Sequence, residues 1–441
     1  MHARLPGLGT ALAALAFHAH PAAAASGGAP FLQTLATFSG PGIGWHPQGT
    51  QLAADAAGAV YGTTARTGIV KATIWKLAPP AAAGGSYQLT TLHSFSGNPN
   101  IPPEGRTDDC QPITGVSQDS EGNLLGLISH CPLRVGDIIW KTFPSEVFKL
   151  STNQQFEFFD SVLVEDYTLY DSKIGNIPWR GYGYTFVTDL PGHDFFASNG
   201  STYAEVGSID DFGSSGFGYE FPTNLADLGL NYIVWDKSSN VLFATSWGTG
   251  RTYADGSGQP PSYWGDGGLF TMAPASGSAT RVASFSGYLG HPNGVTPDGA
   301  GGAYVTTTGN EFSARPGVPV SYGAIWHWTP AKGLQIVRIL DTIDGGAPMP
   351  GLVRDQAGNF WGVTSGYNTI PPLQGGPHYH GWIFKIDAAD HYTGIHQLAG
   401  GPEGMSPGTA MVLGAGGYIF GTTWDGGPAA FNTGTVFRFK P

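Results

Sequence analysis

One short pattern recurs along the whole chain and constrains its fold more than any other feature. An aromatic or large apolar residue is followed by a small residue, with Thr or Ser close by. Copies stand at Tyr61-Gly62-Thr63-Thr64, Leu125-Gly126, Phe196-Ala197-Ser198, Phe243-Ala244-Thr245, Tyr304-Val305-Thr306, Trp361-Gly362-Val363-Thr364 and Phe420-Gly421-Thr422-Thr423. From 62 to 421 the small residue takes six steps, about 60 residues each. A fixed period of this size is the signature of a repeat architecture.

Upstream of most copies lies a turn of the form Asp-x-x-Gly-Asn, as at Asp119–Asn123 and Asp355–Asn359, with looser versions starting at Asp55, Asp189, Asp236 and Asp298. Asp bonds to its own following backbone and Gly accepts positive φ, so these are hairpin formers rather than catalytic carboxylates. Downstream come a short apolar strand, such as Ile383-Phe384-Lys385-Ile386, and then a strand such as Thr91-Leu92-His93-Ser94-Phe95. Each unit therefore predicts four strands: A into the Asp turn, B out of it, then C and D. Such a sheet cannot bury both faces alone, whereas a closed ring of sheets can. Residues 34–40 read as a D strand with no unit before them, and Val436–Phe439 as a C strand with no D strand after it. The expected fold is an all-β propeller of seven blades, closed by pairing of the N-terminal strand with the last blade.

The units resemble a bacterial tandem repeat, the GloVer type, which reads roughly D-x-x-G-N-L-Y-G-T-T followed by G-x-V-F-x-L. Asp119 to Gly126 and Gly434-Thr435-Val436-Phe437-Arg438-Phe439 carry the resemblance, which covers residues 34–150 and 269–441. It implies a propeller and export but no activity. Residues 151–268 depart from it, so six blades plus an insertion stands as the alternative count.

Arg4, the apolar run Leu8 to Phe17 and the small residues Pro21 to Ala25 read as an export signal cleaved near Ala25, too short to span a bilayer. The expected mature protein is residues 26–441, one propeller domain, secreted or periplasmic, with no membrane anchor and acting as a monomer. In an oxidising compartment the two cysteines, Cys110 and Cys131, are expected to form a disulfide. It would close a loop of about 20 residues and contribute roughly 3 kcal/mol. A net charge of −12 argues against nucleic acid as a partner.

Strand alternation puts the long B–C and D–A loops on one face of the ring, where ligands are usually engaged. These loops carry Trp45, His46, Arg106, Arg251, Tyr253, Tyr263, Trp264, His291, Arg315, Tyr322, His378, Tyr379, His380, Trp424 and Asp425. His46-Pro47-Gln48-Gly49 and His291-Pro292-Asn293-Gly294 hold the same repeat position. Aromatic faces with planar donors suit sugar rings, so a polysaccharide or glycan is the expected partner; the competing reading is that these aromatics only pack the loops together. His378 and His380, two apart, could point the same way, but the sequence names no third metal ligand, so neither a metal nor a cofactor is assigned.

If the protein is an enzyme, a polysaccharide lyase acting by β-elimination on an acidic polymer fits best. His46, Arg106, Arg251, Tyr263, Trp264, Arg315, Tyr322 and His378 would bind substrate, while Tyr253, His291, Tyr379 and His380 would supply base and acid. The alternative is a non-catalytic glycan- or protein-binding module. No nucleophile elbow, phosphate loop, dinucleotide fingerprint or His-Glu-x-x-His motif is present.

Overall fold

The computed structural model describes residues 31–441 except 40–41, 66–69, 83, 96–110, 113, 130–133, 136–137, 140–145, 162–184, 191–192, 199–203, 208–218, 221–229, 247–266, 274–278, 286–290, 310–321, 342–343, 367–379 and 428–431. Phe31–Pro441 is one unit. The Asp turns behave as their chemistry requires. In Asp55, Asp119, Asp298 and Asp355, Oδ1 accepts the N–H four residues on, at 2.7–2.9 Å. The second oxygen often ties the turn to the B strand, accepting from Tyr61 Oη at 2.9 Å and from Trp361 Nε1 at 2.8 Å. Asp189 differs. It sits at φ 57° and accepts from Ser120 of the neighbouring sheet, so it ties two sheets together.

The strands join into seven antiparallel sheets of four or five strands. In blade one the A to D strands are Trp45–Ala54, Val60–Ala65, Thr73–Ala78 and Gln88–Ser94. Blade two uses Gln111–Pro112 with Ser117–Gln118, then Leu124–Ser129, Glu146–Leu150 and Phe156–Ser161. Residues 151–268 supply no mere insertion: Thr185–Leu190, His193–Ser198, Ala204–Gly207 and Tyr219–Glu220 form blade three, and Leu230–Asp236 and Val241–Ser246 open blade four. Gly267–Met272 and Ala279–Phe285 complete it. Blade five is His291–Pro297, Ala303–Thr308, Ala324–Thr329 and Gly333–Ile339; blade six is Val353–Arg354, Phe360–Val363, Trp382–Ile386 and Tyr392–Gln397. Blade seven takes Met405–Pro407 with Val412–Leu413, Ile419–Asp425 and Thr435–Phe439, and its D strand is Leu32–Thr37. Leu32 pairs with Phe439, Thr34 with Phe437 and Thr37 with Thr435, and Phe38 N–H donates to the Gly434 carbonyl. The expected closure is present.

The recurring pattern has a packing reason. Its small residue lies across the ladder from the C-strand aromatic: Gly62 from Trp75, Gly126 from Phe148, Gly362 from Phe384 and Gly421 from Phe437. A methyl group on Gly362 would come within 2.2 Å of the Phe384 ring, and one on Gly421 within 2.4 Å of Phe437. The missing side chain lets the ring lie flat over the ladder, fully buried. In blade five Val305 holds that place and its partner, Trp326, is only half-buried. The threonines satisfy backbone groups between strands. Thr64, Thr364 and Thr423 accept through Oγ1 from the first N–H of the C strand, at 2.9–3.0 Å.

Adjacent blades meet at the A strands. Gln51 bridges to Gly115, Thr188 donates to the Gln118 carbonyl, Asn231 to that of Pro292, and Asn293 to that of Pro348. Val187 packs on the Ile233–Leu242 cluster, which joins blades three and four. Gly323, Gly381 and Gly434, all at φ near +90–101°, pack against Pro348, Pro407 and Pro47 of the next blade. The ring is continuous from blade seven back to blade one.

Candidate functional site

Closure brings together two segments that are far apart in sequence. His46 is the second residue of the A strand of blade one, and Trp424 and Asp425 end the B strand of blade seven, so all three lie at the long-loop end of the channel. The His46 ring stacks on Trp424 with centroids 4.9 Å apart, and its Nδ1 lies 2.8 Å from the Trp424 carbonyl oxygen. A carbonyl only accepts, so Nδ1 carries the proton and the neutral ring presents Nε2 as an acceptor. The Asp425 carboxylate is 3.9 Å from Nδ1 and accepts from Asn432 Nδ2.

Backbone strain accompanies this arrangement. His46 has φ 54° although Pro47 follows, and a residue before proline is pushed toward extended backbone. Ser406, before Pro407, repeats the feature at φ 53°. Each is held by its own N–H, His46 donating to the Thr433 carbonyl at 2.8 Å and Ser406 to that of His380 at 3.0 Å. Such outliers cost of order 1–3 kcal/mol and gather at functional sites. Trp45 Nε1 and Thr433 Oγ1, which flank His46, are buried and lack hydrogen-bond partners among the described residues.

A second cluster adjoins the first. Gly426 packs directly on Gly404, and Gly427 N–H donates to the Gly401 carbonyl at 2.8 Å. Beyond them Glu403 accepts from His396 Nε2 at 2.7 Å and from the Ala399 N–H at 2.5 Å. Burial pushes the Glu403 carboxyl up, but those two hydrogen bonds, with the charges of His396 and His380, outweigh it and hold the group below its ordinary value. His380 donates through Nδ1 to the Leu398 carbonyl at 3.0 Å, so its Nε2 is also the acceptor in the neutral ring.

A depressed carboxylate stabilises the fold above its unfolded pKa, and that contribution is lost as pH falls through the folded value. Glu403→Gln should therefore cost about 1 kcal/mol at neutral pH, reduced from the usual charged hydrogen bond by solvent screening. Thermal unfolding of both proteins should show the gap closing as the solution is acidified below the ordinary carboxylate range. A gap that stays constant with pH would contradict the assignment.

Of the residues expected from sequence, His46 and His380 fall in this patch. Tyr322 is half-buried instead against the Tyr304, Ile325 and Phe360 cluster between blades five and six. His291 begins an A strand opposite Thr308, and its side chain lies outside the described residues. Tyr253, Tyr379, Arg106, Arg251, Tyr263, Trp264, Arg315 and His378 lie outside them too, as do Cys110 and Cys131. His396 and Glu403 were missed because neither sits in a recurring motif; the only signal was a carboxylate in a D–A loop.

No group of three or more potential metal ligands occurs among the described residues. No helix among them is long and apolar enough to cross a membrane. No family model and no curated protein matches the chain. Among solved structures it is similar to a gluconolactonase from Xanthomonas campestris, at 11% identity and TM-score 0.36, over 66% of this chain and 77% of that one. It is also similar to a luciferin-regenerating enzyme, at 12% identity and TM-score 0.40, over 94% and 96% of the two chains. Likeness at this level carries no functional argument.

Proposed function

We propose that the protein is a carbohydrate-binding β-propeller whose ligand lies on the long-loop face over blades six, seven and one. One observation carries the reading: a half-buried indole, an imidazole with its acceptor nitrogen set, and a carboxylate meet at the channel end where the ring closes. An indole covers the apolar C–H face of a sugar ring, while Asp and His take hydroxyls. The resemblance of the blades to the GloVer-type repeat and the N-terminal apolar run support export; N-terminal sequencing of exported protein should begin near Ser26.

Trp424→Ala should weaken glycan binding at least about ten-fold, the cost of truncating one buried aromatic anchor. His46→Asn, which tolerates the left-handed backbone, should weaken it with little loss of stability. Titration calorimetry against neutral and uronate-containing polysaccharides measures both. Unchanged affinity in both folded variants, or no binding across the panel, contradicts the proposal.

The lyase reading draws on the two acceptor nitrogens at His46 and His380, either of which could take the proton beside a uronate carboxylate. Appearance of ultraviolet absorbance from new C=C bonds supports elimination; retained binding without it assigns a binding module.

A further inference from the structure

The opposite end of the channel holds a second feature. A cavity of about 340 Å³ lies among the A strands of blades one, two, four and seven. Its walls come from the last residues before the turns, Gln51 to Ala54 ahead of Asp55 and Ser117-Gln118 ahead of Asp119, so it is distant along each strand from His46. Among the described lining residues there is no Asp, Glu, Lys, Arg or His. Polar groups come from Thr50, Gln51, Ser117, Gln118 and Tyr232, set beside alanines, Leu52 and Met411.

Tyr232 is the unusual member. It is 8% exposed and its ring is clamped by Phe243, Leu269, Phe285 and Val295. Its hydroxyl makes no hydrogen bond among the described residues, and burial alone pushes the phenol above its ordinary value. Gly351 of blade six faces it so closely that a methyl group there would lie 2.8 Å from the hydroxyl. The fold thus fixes a phenol donor at the channel wall with no protein hydrogen-bond partner among the described residues.

We infer that this end of the channel binds an uncharged, hydroxyl-rich small molecule of about one sugar ring, with Tyr232 as its central hydrogen-bonding residue. The volume lies at the small end of ligand pockets. A charged ligand would be desolvated there without a counter-charge. The site shares no residue with the Trp424 patch and stands independently of the glycan proposal.

The test uses saturation-transfer NMR and calorimetry on the folded protein, with D-glucose and myo-inositol as neutral probes and D-glucuronate as the charged one. A neutral probe should bind, D-glucuronate at least ten-fold more weakly. Tyr232→Phe should weaken binding ten-fold or more without lowering the unfolding temperature, because the hydroxyl makes no hydrogen bond among the described residues. Ala410→Leu, which fills the cavity, should abolish binding, and Trp424→Ala should leave it unchanged. Failure of both neutral probes to bind the wild-type protein overturns the inference, as does binding by Tyr232→Phe or Ala410→Leu at wild-type affinity. Loss with Trp424→Ala instead would place the probe in the other site and overturn it as well.

Discussion

Deleting residues 31–39 is expected to abolish cooperative unfolding of the propeller. This segment is the whole D strand of blade seven, and it buries Leu32 and Phe38 to 5% and 0% exposure. Phe38 also meets Trp75 of blade one edge-on at 5.5 Å, so the segment joins the two blades at the seam. Losing two buried apolar side chains costs about 2–5 kcal/mol each. Ladder hydrogen bonds add about 0.5–1.5 kcal/mol apiece. The total rivals the 5–15 kcal/mol stability common for folded domains. Calorimetry should show no sharp transition in the truncated chain, and a peptide of residues 31–39 added in trans should restore one. A truncated chain melting within a few degrees of wild type contradicts this account of the seam.

The second large effect is expected in blade six, where Gly362 and Phe384 occupy one space. Phe384→Ala should cost about 3–5 kcal/mol, as for other fully buried aromatics. Gly362→Val should cost about 1–3 kcal/mol or more, because its added atoms collide with the ring at 2.2 Å. The double variant should cost clearly less than the two together, since valine refills the volume the ring vacates. Denaturant unfolding of the four proteins measures the coupling. Additive costs would mean that the two residues do not share a space, and the reason given for the recurring glycine would fail.

Much of the ring was legible in the residues because turn chemistry and register act locally. An Asp followed by Gly fixes a hairpin wherever it stands, and a glycine opposite an aromatic fixes which strands pair. The two strands at the chain ends could be matched because each lacked the neighbour the other supplied. A further signal is equally local. Pro47, Pro112, Pro292, Pro348 and Pro407 each stand in or shortly before an A strand, with a glycine one to three residues later, and these glycines let neighbouring A strands approach. Blade three was hardest, because its C strand, Ala204–Gly207, lacks the aromatic of the other blades.

The candidate site was legible only as a set of loop residues on one face. His46 and Trp424 stood out as polar and aromatic loop residues, but their contact spans 378 positions and exists only once the ring has closed. Tyr232 lies in a strand with no motif that sets it apart. The surroundings of its hydroxyl depend on blades four, five and six together, and no local pattern marks them.

Both sites rest on the closed ring, and one cross-link tests it directly. Gln33 and Arg438 are ladder partners across the seam, and the guanidinium Nε donates to the Gln33 Oε1 at 3.0 Å. Neighbouring strand Cα atoms lie within disulfide reach, about 4.5–5.5 Å. In the Gln33→Cys, Arg438→Cys variant, mild oxidation of the folded protein followed by peptide mass spectrometry should join the peptides carrying positions 33 and 438. Two free thiols at those positions in fully folded protein would contradict the closure and, with it, the meeting of His46 and Trp424.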